Sequence, residues 1–191
     1  MRFAQLFRYS NRLWLFFTLY FLTKYRPVQV KRNATISIFS FERLCILLGA
    51  GLVFFPRLHV SVLATSFHTS AAIATTGFVF VVLGLAFSAW ARDILGRNWS
   101  GRVIIQDNHQ LITAGPYAYV RHPLYTGIIF AVAGTALIVA DVGALIGFLF
   151  ALSFTLLKSS REERLLEAEF GRIYATYRER TGGLLPRIAH V

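Results

Sequence analysis

Residues 124–157 read LYTGIIFAVAGTALIVADVGALIGFLFALSFTLL, a stretch with a single formal charge, Asp141. As one helix it would be about 51 Å long at 1.5 Å per residue. That is far longer than a hydrocarbon core of about 30 Å, and it would place a carboxylate near mid-depth, where charge is costly. Two spans, Leu124–Ala140 and Val142–Leu157, joined by a tight turn at Asp141, remove both difficulties. Gly127, Gly134, Gly143 and Gly147 would let such helices pack closely.

Toward the N-terminus the pattern repeats. Ser70–Ala91 carries no formal charge and is long enough to cross, and Leu44–Pro56 begins another span. Leu13–Leu22 is short for a span and rich in aromatics (Trp14, Phe16, Phe17, Tyr20, Phe21). It is expected to lie in the membrane interface, or else to cross at a tilt with Phe3–Phe7 extending it. No small-residue cleavage site follows it before Thr23-Lys24-Tyr25-Arg26, so it is read as a retained helix.

Toward the C-terminus, Lys158–Thr181 predicts an amphipathic helix with Leu166, Phe170, Ile173 and Tyr177 on one stripe. A capping box at Ser160–Glu163 would restart the helix there, and Gly182-Gly183 with Pro186 beyond would end it. The expectation is an all-α, polytopic integral membrane protein. It has four or five transmembrane helices plus a cytoplasmic amphipathic C-terminal helix. It forms one domain, with an N-terminal membrane half, 1–91, and a loop–hairpin–helix half, 92–191.

Composition agrees. Of 191 residues 55% are hydrophobic and 15% charged, against about 25% charged in soluble domains. A net charge of +11 brings nucleic acid to mind, but the apolar blocks assign the Lys and Arg to membrane lipids and topology. No nucleic-acid partner is expected. Suppose the last four spans alternate and the first run does not cross. The N-terminus, residues 24–43, residues 92–121 and the tail then share one side. Only Arg57 of the 20 Lys and Arg falls on the other, so the shared side is cytoplasmic. One cysteine, Cys45, permits neither an intramolecular disulfide nor a multi-cysteine zinc site, and the histidines lack metal-ligand spacing. No metal is expected.

Three polar clusters carry the chemistry. Gly115–Gly127 brings Arg121, His122, Tyr117 and Tyr125 to the mouth of a span. Pro123 suits the first turn of that helix, whose free N–H groups can seat an anion. Arg161-Glu162-Glu163 follows the last span. Leu95–Ser100, continued by Gln106, His109, Gln110, Leu111 and Ile112, is a loop able to close over a nucleoside, or an ordinary cytoplasmic loop. From spacing alone, interfacial snorkelling of Arg121 explains the first cluster equally well, and a solvated helix start is the stronger reading of Arg161-Glu162-Glu163.

Three strings stand in order: His109-Gln-Leu-Ile-Thr-Ala-Gly-Pro-Tyr117, then Arg121-His-Pro-Leu-Tyr125, then Glu162-Glu163 ahead of Phe170-Gly171-Arg-Ile-Tyr174-Ala-Thr-Tyr177. From about Ala91 to Pro186 the chain resembles the isoprenylcysteine carboxyl methyltransferase family, which includes phospholipid methyltransferase relatives. The resemblance implies a helical membrane enzyme using S-adenosyl-L-methionine, with its active site facing the cytoplasm and a lipophilic substrate arriving from the bilayer. Carried over residue by residue, the cofactor contacts would be Gln106, His109, Gln110, Leu111, Ile112, Tyr117, His122, Pro123, Leu124, Tyr125 and Glu162. Arg121 and Glu162 would be catalytic, and Lys158 with Arg161 would bind substrate. Lys158 stands where the family carries an arginine, and a lysine makes a point contact where arginine grips bidentately. His122 and the helix N–H groups would take the cofactor's carboxylate, and Glu162 its ammonium. The function implied is carboxyl methylation of an isoprenylcysteine-type acceptor. Methylation of a phospholipid amine or small thiol, an NADPH-dependent membrane reductase, and a non-catalytic membrane protein are the alternatives.

Overall fold

The computed structural model describes residues 2–25, 30–33, 39–56, 62–101 and 103–187. The side chain of Cys45 lies outside this set. Six helices dominate: α1 Arg2–Thr23, α2 Phe39–Phe54, α3 Ala71–Leu95, α4 Pro123–Val139, α5 Val142–Phe170 and α6 Arg172–Arg180. Two short strands, β1 Val30–Asn33 and β2 Ile104–Gln106, pair antiparallel and amend the all-helical expectation. Their pairing also ties the 24–43 and 92–121 connections together.

The hairpin forms as its sequence dictates. Ala140 takes a left-handed turn (φ 53°), and the Asp141 carboxylate caps α5 by accepting from the Ala144 N–H at 2.7 Å. Ser70 caps α3 in the same way, through the Ile73 N–H at 3.2 Å. The glycines have a different use from the one expected. Gly127 and Gly134 of α4 face α3, and Gly147 of α5 faces α2, rather than each other. A Cβ on Gly77 would stand 2.6 Å from the Gly134 carbonyl, and one on Gly84 2.5 Å from the Gly127 carbonyl. Both pairs are spaced seven positions apart, so α3 and α4 meet backbone to backbone along two turns.

Helices α3 and α5 are long and apolar enough to cross a membrane, with mean hydropathies of 2.1 and 1.8, and α4 is a shorter apolar helix. Only 33% and 28% of the apolar windows of α3 and α5 are buried within the protein. Leu83, Leu149 and Leu156 are among the large side chains left outside. A soluble core helix would be covered, whereas a bilayer supplies the missing neighbour.

Two expectations are corrected. First, α1 does not lie across the end of the bundle. Ser10 meets Thr135 of α4 at 3.3 Å, Trp14 Nε1 donates to the same hydroxyl at 3.0 Å, and the Tyr20 hydroxyl donates to the Ala89 carbonyl at 3.3 Å. Helix α1 therefore runs alongside α3 in the same direction, and its N-terminus sits at the end remote from the loops. Second, no helix restarts at Ser160. The Ser159 and Ser160 hydroxyls bond back to the Leu156 carbonyl at 3.1 and 2.8 Å, so the turn continues and α5 runs unbroken from the apolar half into the charged half. The break falls at Gly171, φ +51°, a conformation that favours glycine. That kink resets the helical phase, so Tyr174 is buried while Ile173, placed on the stripe by simple periodicity, is 69% exposed.

Candidate active site

The loop ends of α3 and α4, the connection between them, the charged half of α5 and α6 converge on one chamber. Pro123 opens α4 with His122 as its N-cap. The segment just before it pairs with the chain leaving α6: Arg121 N–H to Gly182 O at 2.8 Å, His122 N–H to Gly183 O at 3.2 Å, and Gly182 N–H to Tyr119 O at 3.2 Å. The Thr126 hydroxyl extends the strap by donating to Leu184 O at 2.5 Å.

Charged groups lock the same junction. Arg121 Nε donates to Glu163 Oε1 at 2.8 Å, and its Nη1 donates to the carbonyls of Thr181 at 2.5 Å and Arg178 at 3.2 Å. His122 Nε2 lies 3.1 Å from the same Glu163 oxygen. Its ring stacks on Tyr125, with centroids 5.7 Å apart and planes at 15°. The Tyr125 hydroxyl donates to Glu162 Oε2 at 2.9 Å. Neighbouring positions on a helix point about 100° apart, so α5 aims Glu162 into the chamber and Glu163 at Arg121.

The cavity has a volume of about 820 Å³, its open mouth included. Nine of the residues singled out for the cofactor line it: His109, Gln110, Leu111, Ile112, Tyr117, His122, Leu124, Tyr125 and Glu162. Arg121 lines it as well. Gln106 does not; its side chain donates to the Trp99 carbonyl at 3.3 Å and supports the loop from behind. Pro123 is buried as the start of α4 and is not in the wall. Lys158 and Arg161 are not in the wall either. The Lys158 ammonium lies 5.4 Å from the centroid of the Tyr125 ring and donates to Gly101 O at 3.1 Å, so it reaches the chamber only through Tyr125. Sequence reasoning missed the bridging position of Glu163 and the contribution of Tyr174 to the wall. The signal for Tyr174 was Gly171, whose kink shifts the stripe by one residue.

Burial tunes the ring-bearing groups. It depresses the His109 imidazole below its ordinary value, with Glu162 and Glu169 opposing, so the ring favours the neutral form. Burial raises the Tyr117 phenol well above its usual range and pushes Tyr177 up to about 12, keeping both protonated. Each has a partner: Tyr177 donates to Tyr117 O at 2.6 Å, and Tyr117 donates to Ala91 O at 3.4 Å. Two wall atoms have none among the described residues, His109 Nδ1 and the Tyr174 hydroxyl. Buried polar atoms are rarely left so, and in a chamber wall such atoms suit a polar ligand.

The model of the isoprenylcysteine carboxyl methyltransferase family matches residues 73–168. The chain is 30% identical over 119 residues to a probable protein-S-isoprenylcysteine O-methyltransferase of Oryza sativa, covering 61% of this chain and 62% of that one. It is 31% identical over 137 residues to the Schizosaccharomyces pombe protein-S-isoprenylcysteine O-methyltransferase, covering 70% and 56%. For the human enzyme of that name the figures are 32% over 124 residues, covering 62% and 43%. The chain thus spans between about two-fifths and three-fifths of the length of these relatives. Its fold is similar to that of a solved eukaryotic intramembrane Ras methyltransferase, with a TM-score of 0.52, 24% identity, and coverage of 81% of this chain and 55% of that one. The matched region contains α4, α5 up to residue 168 and all but the α6 side of the chamber. The chain belongs to the isoprenylcysteine carboxyl methyltransferase family.

Proposed function

We propose that this chain transfers a methyl group from S-adenosyl-L-methionine to the carboxylate of an isoprenylcysteine-type acceptor that enters from the bilayer. The observation that carries the reading is the convergence of the three sequence strings on one chamber. The residues present fit the cofactor. Glu162 offers a carboxylate for an ammonium. The Tyr117 and Tyr125 rings suit a flat base or a sulfonium. The partnerless His109 Nδ1 and Tyr174 hydroxyl offer polar contacts.

S-adenosyl-L-methionine supplies a methyl group on a positively charged sulfur, open to in-line displacement by an oxygen nucleophile. A carboxylate acceptor arrives ionised, so the protein needs no strong base. Its work is to align the reactants and exclude water. Arg121 orients the acceptor side of the chamber while fixed by Glu163, and Lys158 and Arg161 attract the acceptor's negative charge at the membrane boundary. The packing of α1 along α3 supports five crossings. Lys24, Arg92, Arg97, Arg121, Lys158, Arg161 and Arg164 gather at the chamber end, which favours a cytoplasmic active site.

Binding, turnover, pH dependence and one substitution test this. Detergent-purified protein should bind S-adenosylhomocysteine and should methylate a short S-prenylated cysteine from labelled S-adenosyl-L-methionine. Binding of NADPH instead would install the reductase reading. The rate should be flat with pH from about pH 5 upward, because the α-carboxyl ionises at about 3.3–3.7. A rate that climbs through the range of an amine would assign an amine acceptor. Glu162→Ala should weaken S-adenosylhomocysteine binding by about 1.5–3 kcal/mol, the scale of a hydrogen bond to a charged group. Unchanged affinity would remove Glu162 from the site.

A further inference from the structure

Glu163 sits behind the chamber wall, and its two partners fix a property of a third atom. Its Oε1 accepts from Arg121 Nε at 2.8 Å and lies 3.1 Å from His122 Nε2. A carboxylate held against a guanidinium stays ionised and offers only lone pairs, so the proton in the contact with His122 belongs to the imidazole. In the neutral ring, a proton on Nε2 facing Glu163 leaves a lone pair on Nδ1. Nδ1 stands 4.0 Å from Glu162 Oε2, too far for a direct hydrogen bond. Two acceptors face each other across that gap, and both residues line the cavity. Tyr125 holds the arrangement from the side, stacked on His122 and donating to Glu162 Oε2.

We infer that Glu163 is a positioning residue: by accepting the Nε2 proton of His122 it turns Nδ1 into an acceptor that, with Glu162, clasps an ammonium group of the bound ligand. A donor between the two acceptors satisfies both, and an ammonium nitrogen about 2.9 Å from each fits the gap. The inference rests on the reading of the chamber as the S-adenosyl-L-methionine site and refines it. It also reverses the role expected for His122, which turns to the amino group and away from the carboxylate. Glu163 never touches the ligand; it acts through the ring.

The test uses the full chain in detergent and two probes. S-adenosylhomocysteine carries the amino-acid arm, and 5′-methylthioadenosine shares its nucleoside and thioether but lacks the amine. Glu163→Met removes the acceptor at similar volume and should weaken S-adenosylhomocysteine about tenfold or more while leaving 5′-methylthioadenosine within about twofold. Glu163→Gln, whose amide oxygen still accepts from both partners, should recover most of the loss. Equal weakening of both probes would mark a merely structural role and overturn the proposal, as would no weakening of either. Nitrogen NMR of ¹⁵N-histidine-labelled wild-type protein, with His122→Asn to assign the signal, decides the matter even if Glu163→Met does not fold. An unprotonated Nδ1 is expected, and an imidazolium or an Nδ1–H form refutes the clasp. Wild-type protein that binds neither probe would sink the methyl-donor reading and the clasp together. Binding of both without discrimination by Glu163→Met would sink the clasp alone.

Discussion

The α3–α4 pair and the α5–α6 arm hold the two sides of the chamber by opposite means. On the α3–α4 side the contact is steric: Gly77 against Gly134 and Gly84 against Gly127, with Ser88 donating to the Leu124 carbonyl at 2.8 Å. None of these contacts involves a charged group, and the two backbones approach too closely to admit a Cβ at either glycine pair. On the α5–α6 side the contact is a latch of charges and carbonyls: Glu163, Arg121, the carbonyls of Arg178 and Thr181, and the strap through Gly182. Within lipid, packing of small residues gives rigidity with no buried charge to desolvate. At the membrane boundary, charged hydrogen bonds give direction, which a site needs and a bare helix contact does not supply. Helix α5 carries both principles along one axis. Its apolar half meets α2 through Gly147 and Gly49, and its polar half meets the chamber through Glu162, with Glu163 latched to Arg121 behind the wall.

The steric side should break most completely. Gly134→Leu would force a branched side chain against the Gly77 backbone and Phe80, and should cost more than about 3 kcal/mol, the upper end of ordinary overpacking, because backbone cannot yield. Loss of monodisperse, heat-stable protein would show it, and retained melting temperature would mean that α3 and α4 part easily. The charged side should give way by less. Arg121→Ala removes two carbonyl contacts and leaves Glu163 with only His122, and should destabilise by about 1.5–3 kcal/mol on the scale of charged hydrogen bonds. The loss should shrink in high salt only slightly, since the Arg121 side chain is 12% exposed. The smallest change should differ in sign between states. Tyr174→Phe deletes a buried hydroxyl that has no partner among the described residues, so unliganded protein should melt no lower, by about 1 kcal/mol in favour of the variant. With S-adenosylhomocysteine bound the advantage should vanish. A lower melting temperature without ligand would show that the hydroxyl already has a structural partner.

Much of this was legible in the sequence. The hairpin followed from the lone charge in the whole of 124–157, and Ala140-Asp141 indeed makes the turn. Hydrophobic length located α2, α3, α4 and the first half of α5, because helix rise and bilayer thickness act locally and on every residue. Of the eleven residues that the family strings singled out for the cofactor, nine line the chamber. What sequence left out was relational. The partner of a glycine is set by whichever helix packs against it, so Gly127, Gly134 and Gly147 gave closeness without an address. A serine at a helix start and a serine bonding back to the preceding turn have the same letter, and Ser160 was read as the former. The phase of α6 depended on a single left-handed residue, Gly171, that a regular helical count passes over. The bridging role of Glu163 needed the third dimension altogether: Arg121 and His122 are 42 and 41 positions away along the chain.

The glycine seam between α3 and α4 has a mechanical corollary. Surfaces interdigitated at the level of the main chain cannot slide or rock without disengaging over two full turns, so that half of the chamber behaves as a fixed jaw. On the proposed function, a lipid-tailed acceptor would enter and its product would leave on the other side, which bends at Gly171 and is fastened by a handful of polar contacts. Turnover in such a machine would be paced by how often that fastening lets go, and bilayer properties that press on the outer face of α5 would set its tempo.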